Sequence, residues 1–134
     1  MINIFCDGGA RGNPGPAAYG FVVKNDQEVL YKEGGYLGIA TNNFAEYTAV
    51  IKALSWLSHS FMGYDLSFFL DSKLVASQLS GLYKVRNAKI RELVIKVKSL
   101  ETNFGQITYN HIPRDQNQEA DKLVNQALDN QFEI

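Results

Sequence analysis

The sequence predicts an α/β fold built on one mixed five-stranded sheet with helices packed on its faces. Three β-prone segments come first, and a polar turn at residues 25–27 separates the second from the third. Helical periodicity begins after residue 42, and helices then separate the remaining strands. Hairpins join antiparallel strands and helical crossovers join parallel ones, so we expect the first three strands to be antiparallel and the later ones parallel.

The first half of the chain predicts three strands and a long helix. Residues 2–7 are apolar and β-prone, and the stretch GGARGNPGP that follows indicates a loop. Residues 17–24 and 28–37 predict the next two strands. From 43 to 59, apolar residues recur at helical spacing, as at Val50 and Leu54.

The second half predicts two strands and three helices. The strands are residues 66–71 and 105–111, and the helices are residues 72–79, 88–100 and 117–128. The chain has 134 residues, enough for one sizeable core but hardly two, so we expect residues 1–134 to form a single domain.

Composition and charge exclude several classes of protein. No run of about 18 apolar residues occurs and no basic leader precedes residue 7, so we expect neither export nor membrane insertion, and a cytoplasmic location. Cys6 lies in an apolar strand and is expected to be a core residue. The net charge is −1, but residues 84–98, which we call the basic segment, carry six basic residues against one acid. This clustering suits phosphate binding, although a solvated helix face would produce it as well.

Two acids follow apolar strand residues. Asp7 and Asp71 are predicted at the carboxyl ends of strands, the edge where open α/β folds place their ligands. Either residue alone is more commonly a turn-former or a helix cap.

Two further acids lie beside apolar helix stripes. Helical steps from Glu46 lead to Val50 and Leu57, and Asp121 stands one turn before Val124. A buried carboxylate requires a partner or a metal ion. Oxygen ligands without a Cys or His cluster favour Mg²⁺ or Mn²⁺ over Zn²⁺, and two such ions can activate a water and stabilise a leaving oxygen in phosphoryl displacement.

Four blocks of sequence resemble the type 1 ribonuclease H family, each containing one of these acids. The blocks are FCDGGARGNPGPAAYG, TNNFAEYTAV, LDSKLV and HIPRDQNQEADKLVN. The resemblance covers the whole chain and implies a ribonuclease H-like fold. It also implies that Asp7, Glu46, Asp71 and Asp121 are the catalytic ligands of two Mg²⁺ or Mn²⁺ ions. The implied activity is cleavage of the RNA strand of RNA–DNA hybrids, leaving 5′-phosphate and 3′-hydroxyl ends.

The resemblance also implies contacts to nucleic acid. The expected contact residues are Gly8, Gly9, Arg11, Gly12, Asn13, Asn42, Asn43, Lys84, Arg86 and Lys89. The glycines would let backbone amides approach a sugar-phosphate chain, although a plain turn would explain them equally. Asn42 and Asn43 match positions that reach 2′-hydroxyl groups, and we expect one of the two to cap the helix instead.

Two features separate this chain from other family members. Some members carry a basic insertion, the handle, after the helix that follows the third acid, and residues 81–91 are too few to contain one. The basic segment would then contact phosphates, with modest and salt-sensitive affinity. Arg114 matches the arginine of handle-less members, and its guanidinium can hold phosphate but cannot act as a base. His111 would lie either at the rim of the site or in the packing at the end of a strand. Asn117 could cap the last helix.

Three rival functions remain at this stage. A silent binding module would have lost one or more acids, and none is missing. The core of a transposase or resolvase normally carries additional DNA-binding segments, and an actin-like sugar kinase needs a second large domain. No surplus apolar helix face demands a partner, so we expect a monomer.

Overall fold

The computed structural model describes residues 1–131. The strands are β1 (Ile2–Ala10), β2 (Gly15–Asn25), β3 (Glu28–Ala40), β4 (Leu66–Leu70) and β5 (Ile107–His111). The helices are α1 (Asn42–Leu57), α2 (Lys73–Leu79), α3 (Ala88–Glu101) and α4 (Gln118–Asn130), and a 3₁₀ turn (Arg114–Gln116) precedes α4. The predicted domain includes residues 132–134, which lie outside the described residues.

The five strands form one mixed sheet in the order β3-β2-β1-β4-β5. β1 and β2 are antiparallel, as are β2 and β3, whereas β4 is parallel to both β1 and β5. The predicted fold class and strand directions are confirmed. β1 is therefore the central strand, paired on both edges, and its residues are held more firmly than those of the outer strands.

Helices cover the sheet on both faces. α1 packs on β1 and β2, and α3 packs against α1. The main core lies between α1 and the sheet, with Phe21, Leu54 and Phe68 fully buried. α4 packs on β2 and β3 through a smaller cluster of Ala18, Val124 and Leu128. Because neighbouring strand residues point to opposite faces, Ala18 and the core residue Tyr19 place α4 and α1 on opposite sides.

Two expectations about local structure are wrong. β1 does not end at residue 7, because its ladder with β2 continues as far as Ala10 opposite Ala17, leaving a loop of only residues 11–14. Pairing with β2 thus overrides the loop tendency of the glycines. Neither Asn42 nor Asn43 caps α1, since the Thr41 side chain accepts the bond from the Phe44 amide at 3.1 Å.

Within residues 1–131 no helix combines the length and the apolar character that a membrane crossing requires.

Candidate active site

Asp7 lies in the middle of β1, not at its end. It is paired with Gly20 of β2, and only 3% of its surface is exposed. Central β1 supplies a rigid backbone for this carboxylate, which suits a group whose position must be held within a fraction of an ångström.

A close approach between β1 and α1 brings Glu46 to Asp7. A Cβ atom on Gly8 would lie 2.2 Å from the backbone carbon of Ala45, so only glycine permits this packing. Glu46 is the next residue of α1 and is 7% exposed. The predicted apolar stripe beneath it is confirmed, since Val50 and Leu57 are fully buried.

A second close approach brings Asp121 to the opposite side of Asp7. A Cβ on Gly20 would lie 2.7 Å from the carbonyl oxygen of Ala120, so α4 rests directly on β2 at the position paired with Asp7. Asp121 follows Ala120 and lies close enough to the Asp7 carboxyl for its charge to raise the Asp7 pKa. The Asn125 amide donates to the Asp121 carboxylate at 3.3 Å and holds it from the next turn of α4.

Parallel pairing of β1 with β4 brings Asp71 to the same place. Leu70, the last residue of β4, is opposite Cys6, so the residues that follow are neighbours. Carboxylate oxygens of Asp7, Glu46 and Asp71, which we call the carboxylate triad, lie within 4.8 Å of one another. With Asp121 the triad lines an open cavity of about 360 Å³, the site cavity. The structure therefore brings all four predicted acids together.

Burial and repulsion from neighbouring acids favour the protonated forms of Asp7 and Glu46. The pKa of Asp7 is raised from 3.8 to about 8, first by burial and then by the charges of Asp71 and Asp121. The pKa of Glu46 is raised by burial and by the charges of Asp7 and Asp71, while the nearby Arg114 charge opposes the shift. A bound cation would remove this repulsion.

Unpaired polar atoms also identify the site as one that suits a cation. Within residues 1–131, two buried side-chain atoms have no hydrogen-bond partner, Glu46 Oε2 and Asn117 Oδ1. Both residues belong to the site, because Asn117 donates to Asp71. A buried carboxylate oxygen without a donor is costly, and a hard divalent cation with oxygen ligands satisfies it. The residues present thus fit a metal site formed by carboxylates.

The two predicted auxiliary residues differ in position. Arg114 lies in the 3₁₀ turn before α4 and lines the site cavity. His111 closes β5 opposite Leu70, and its side chain is exposed outside the residues that line the cavity. This geometry agrees with the expectation that Arg114 makes the functional contact. His111, whose role the sequence leaves open between the site rim and strand-end packing, lies outside the cavity lining.

The predicted nucleic-acid contacts fall into separate groups. Gly8 and Gly9 belong to β1 and not to a loop, which corrects the expected position of both. Arg11 forms an ion pair with Asp129 of α4 at 2.7 Å, with both side chains exposed. Lys84, Arg86 and Lys89 are exposed on the basic segment.

A hydrogen-bond network fixes Asn42 between the loop and α1. The Asn42 side-chain oxygen accepts a hydrogen bond from the Ala10 backbone amide at 2.7 Å. The Asn42 backbone amide donates to the Asn13 side-chain oxygen at 3.0 Å. The side-chain NH₂ of Asn42 is thereby oriented as a donor. Asn42 and Asn43 line the site cavity and also a second groove of about 770 Å³, the amide groove.

Several residues of these surfaces were missed from the sequence. The amide groove also contains Thr41, Gln78 and Asn87, and the site contains Asn117 and Asn125. Asn87 caps α3, accepting from Lys89 and Ile90, and a helix-start pattern could have located it. Asn117 gives no such signal, because its sequence position is that of an ordinary cap while its side chain bonds Cys6 and Asp71, which are distant in sequence.

Comparison with known proteins assigns the chain to a family. A family model described as reverse transcriptase-like matches residues 5–127. The "Ribonuclease HI" of Halobacterium salinarum is 40% identical over 129 residues, which are 96% of this chain and 64% of that protein. The solved structure of LC11-RNase H1 in complex with an RNA/DNA hybrid is 36% identical, with a TM-score of 0.95 over 99% of this chain and 100% of that one. The chain belongs to the type 1 ribonuclease H family.

Other relatives are longer than this ribonuclease H chain. The "Bifunctional protein Rv2228c" of Mycobacterium tuberculosis is 40% identical over 130 residues, and the chain spans 35% of that protein. The chain thus spans between about a third and two thirds of these curated relatives.

The compact form of ribonuclease H expected from the sequence is confirmed. Residues 80–87 alone connect α2 to α3, so the handle has no counterpart there. The family assignment also replaces the transposase and sugar-kinase alternatives.

Proposed function

We propose that this chain is an endoribonuclease that hydrolyses the RNA strand of RNA–DNA hybrids with two Mg²⁺ or Mn²⁺ ions, giving 5′-phosphate and 3′-hydroxyl ends. The observation that carries the proposal is the carboxylate triad, whose oxygens lie within 4.8 Å of one another. Family membership supports the reaction, and the hybrid bound to LC11-RNase H1 supports the substrate.

The acids would hold the ions, and the other side chains would hold the substrate. Asp7, Glu46, Asp71 and Asp121 are the proposed ligands. When bound, the ions would activate a water and stabilise the oxygen that leaves the phosphorus. Arg114 would hold a phosphate oxygen at the rim, because its guanidinium remains charged at every relevant pH.

Selection of the RNA strand is proposed for Asn42 and Asn43. Both residues lie where the site cavity meets the amide groove, so one strand can pass the acids while the other lies in the groove. An amide NH₂ there can donate to a 2′-hydroxyl, the group that separates RNA from DNA. Asn13, Arg11, Gly12 and the Gly8-Gly9 backbone would contribute near the loop, and Lys84, Arg86 and Lys89 would contact phosphates.

Cleavage of labelled duplexes tests this function. We expect the wild-type chain with Mg²⁺ or Mn²⁺ to cut the RNA of a hybrid and to leave duplex DNA intact, with loss of cutting on chelation. Asp71→Asn should abolish cleavage. Asp26→Asn is the matched control, because Asp26 is an exposed turn residue with positive φ, which Asn tolerates. A wild-type chain that binds the hybrid but leaves it whole in both metals would identify the silent binding module instead. Parallel lanes with duplex RNA and with DNA containing one ribonucleotide define the substrate range.

Three further proposals concern the domain organisation, the oligomeric state and the location of the chain. We propose that residues 1–134 act as a single catalytic domain, since one sheet and one main core account for the described elements. A monomer is proposed, and light scattering tests it. A cytoplasmic location stays a prediction, to be tested by fractionation of the native host.

A further inference from the structure

Asn117 makes hydrogen bonds to four parts of the site. It precedes α4 and is 1% exposed, the least exposed of the polar residues at the site. Its side-chain Nδ2 donates to the Cys6 carbonyl at 2.8 Å and to Asp71 Oδ2 at 3.4 Å. Its backbone amide donates to the Arg114 carbonyl at 3.0 Å, and its carbonyl accepts from the Asp121 amide at 3.1 Å.

We propose that Asn117 is a positioning residue for the metal ligands, a role that rests on the proposed function. The Cys6 carbonyl belongs to the peptide unit that carries Asp7, so the bond to it fixes the start of α4 against the central strand. The second bond of the same NH₂ group sets the orientation of the Asp71 carboxylate. One side chain thus sets the separation of acids from three chain segments that are far apart in sequence.

The Asn117 side chain makes these bonds instead of capping the N-terminus of α4. A residue at the helix N-cap normally accepts from an amide of the first turn through its side-chain oxygen. Asn117 makes no such bond, and its side-chain NH₂ donates to the Cys6 carbonyl and to Asp71 instead. Its Oδ1 is buried without a partner within residues 1–131. A side chain that gives up a cap and leaves a buried acceptor unpaired has a cost, which function explains better than folding does.

The expected consequence is a loss of metal affinity and turnover without a matching loss of hybrid binding. Side chains that orient metal ligands typically change metal affinity or activity by about 10–100-fold when they are removed. Asn117 is buried beneath the acids and does not line the site cavity or the amide groove, so it has no direct contact to offer the hybrid.

Asn110 provides a matched control. Its side-chain NH₂ donates to the Phe68 carbonyl at 3.0 Å, so Asn110→Ala removes the same type of amide-to-strand bond. Its other side-chain bond, at 3.3 Å, goes to Thr108 and not to an acid. Comparison of Asn117→Ala with Asn110→Ala therefore separates a scaffold effect from an effect on the ligands.

The test measures Mn²⁺ binding by electron paramagnetic resonance, hybrid kcat and KM at fixed metal, and thermal unfolding with chelator. For Asn117→Ala we expect Mn²⁺ affinity and kcat to fall by about 10-fold or more, with KM for the hybrid changed by less than about threefold. Asn110→Ala should retain the wild-type Mn²⁺ affinity, kcat and KM. Unchanged Mn²⁺ affinity and kcat in Asn117→Ala, with only a lower unfolding temperature, would overturn the proposal.

A second variant covers the case in which Asn117→Ala does not fold. The hydroxyl of Asn117→Ser has one hydrogen and cannot donate to Cys6 and Asp71 together. This variant should lose metal affinity and kcat in the same direction, and wild-type values for both would also overturn the proposal. A wild-type chain that neither binds Mn²⁺ nor cuts the hybrid would refute the proposed function itself, which distinguishes the two failures.

Discussion

Neutralising Asp7 should stabilise the metal-free protein while abolishing its activity. Asp7 is 3% exposed and lies among Glu46, Asp71 and Asp121, and chelation leaves no metal ion to offset their mutual repulsion. Asp7→Asn keeps the shape of the side chain and adds an amide NH₂ that can donate to neighbouring carboxylates. The substitution removes the charge that burial and repulsion make unfavourable.

The magnitude follows from the pKa of Asp7. A rise from 3.8 to about 8 is roughly 4 units, which sets a ceiling of about 5–6 kcal/mol for the cost of ionising this carboxyl in the folded state. Neighbouring acids share the repulsion and relax when one is neutralised, so we expect a gain of about 2–4 kcal/mol for Asp7→Asn. A raised pKa means that the folded state binds the proton more tightly than the unfolded chain does. The stability that this carboxyl contributes is therefore complete below pH 4 and lost as pH rises through about 8.

Urea unfolding with chelator measures this effect. At about pH 9 the free energy of unfolding of Asp7→Asn should exceed that of the wild type by about 2–4 kcal/mol, and at about pH 5 the difference should shrink to roughly 1–2 kcal/mol. Asp26→Asn, at an exposed turn, should match the wild type throughout. A variant that is less stable than the wild type at pH 9 without metal would refute the electrostatic reasoning.

Divalent metal should make the wild type more stable than Asp7→Asn. Because a cation removes the repulsion, Mg²⁺ should raise the unfolding temperature of the wild type and leave that of Asp7→Asn nearly unchanged. The same titration should show metal affinity rising with pH, since binding displaces the proton that the raised pKa retains.

Three further predictions concern packing, catalysis and binding. Gly8→Ala should lower the free energy of unfolding by about 3 kcal/mol or more in urea titration, because its Cβ would lie 2.2 Å from α1 backbone; wild-type stability would contradict the packing. Arg114→Ala should slow single-turnover cleavage by about tenfold and His111→Ala by less than about twofold, since only Arg114 lines the site cavity; equal effects would remove the distinction. Replacing Arg86 and Lys89 by Gln should reduce the salt slope of hybrid affinity by about 1–2, and an unchanged slope would exclude both from phosphate contact.

The fold was predictable because local signals agreed with the tertiary structure. The polar turn at 25–27 and the start of helical periodicity after residue 42 predicted the strand directions. Residues 1–131 contain the same five strands and four helices. Errors occurred where pairing overrides local preference. The glycines after Asp7 indicate a loop, yet the ladder with β2 keeps them extended as far as Ala10.

The acids were predictable from the sequence, but the contacts that bring them together were not. Glu46 was found because a carboxylate on an apolar stripe breaks the burial rule, and such violations mark function. Gly8 and Gly20 carry no comparable signal, because a glycine that permits close packing has the same letter as one in a turn. Asn117 was read as a cap because its partners, Cys6 and Asp71, are distant in sequence.

The structure places a group of mutually repelling acids on the central strand of the sheet, and this arrangement has a physical reason. Burying several acids together opposes folding, so the surrounding framework must resist their separation. Central β1 is paired on both edges as far as Cys6, and from Asp7 to Ala10 its ladder with β2 continues. Helices approach this region through Gly8 on one side and through Gly20 of β2 on the other. A carboxylate cluster on loops would relieve its repulsion by moving apart, and would lose the spacing that the proposed metal ions require. Rigid packing around Asp7 keeps the acids close together, so a bound cation would relieve their repulsion.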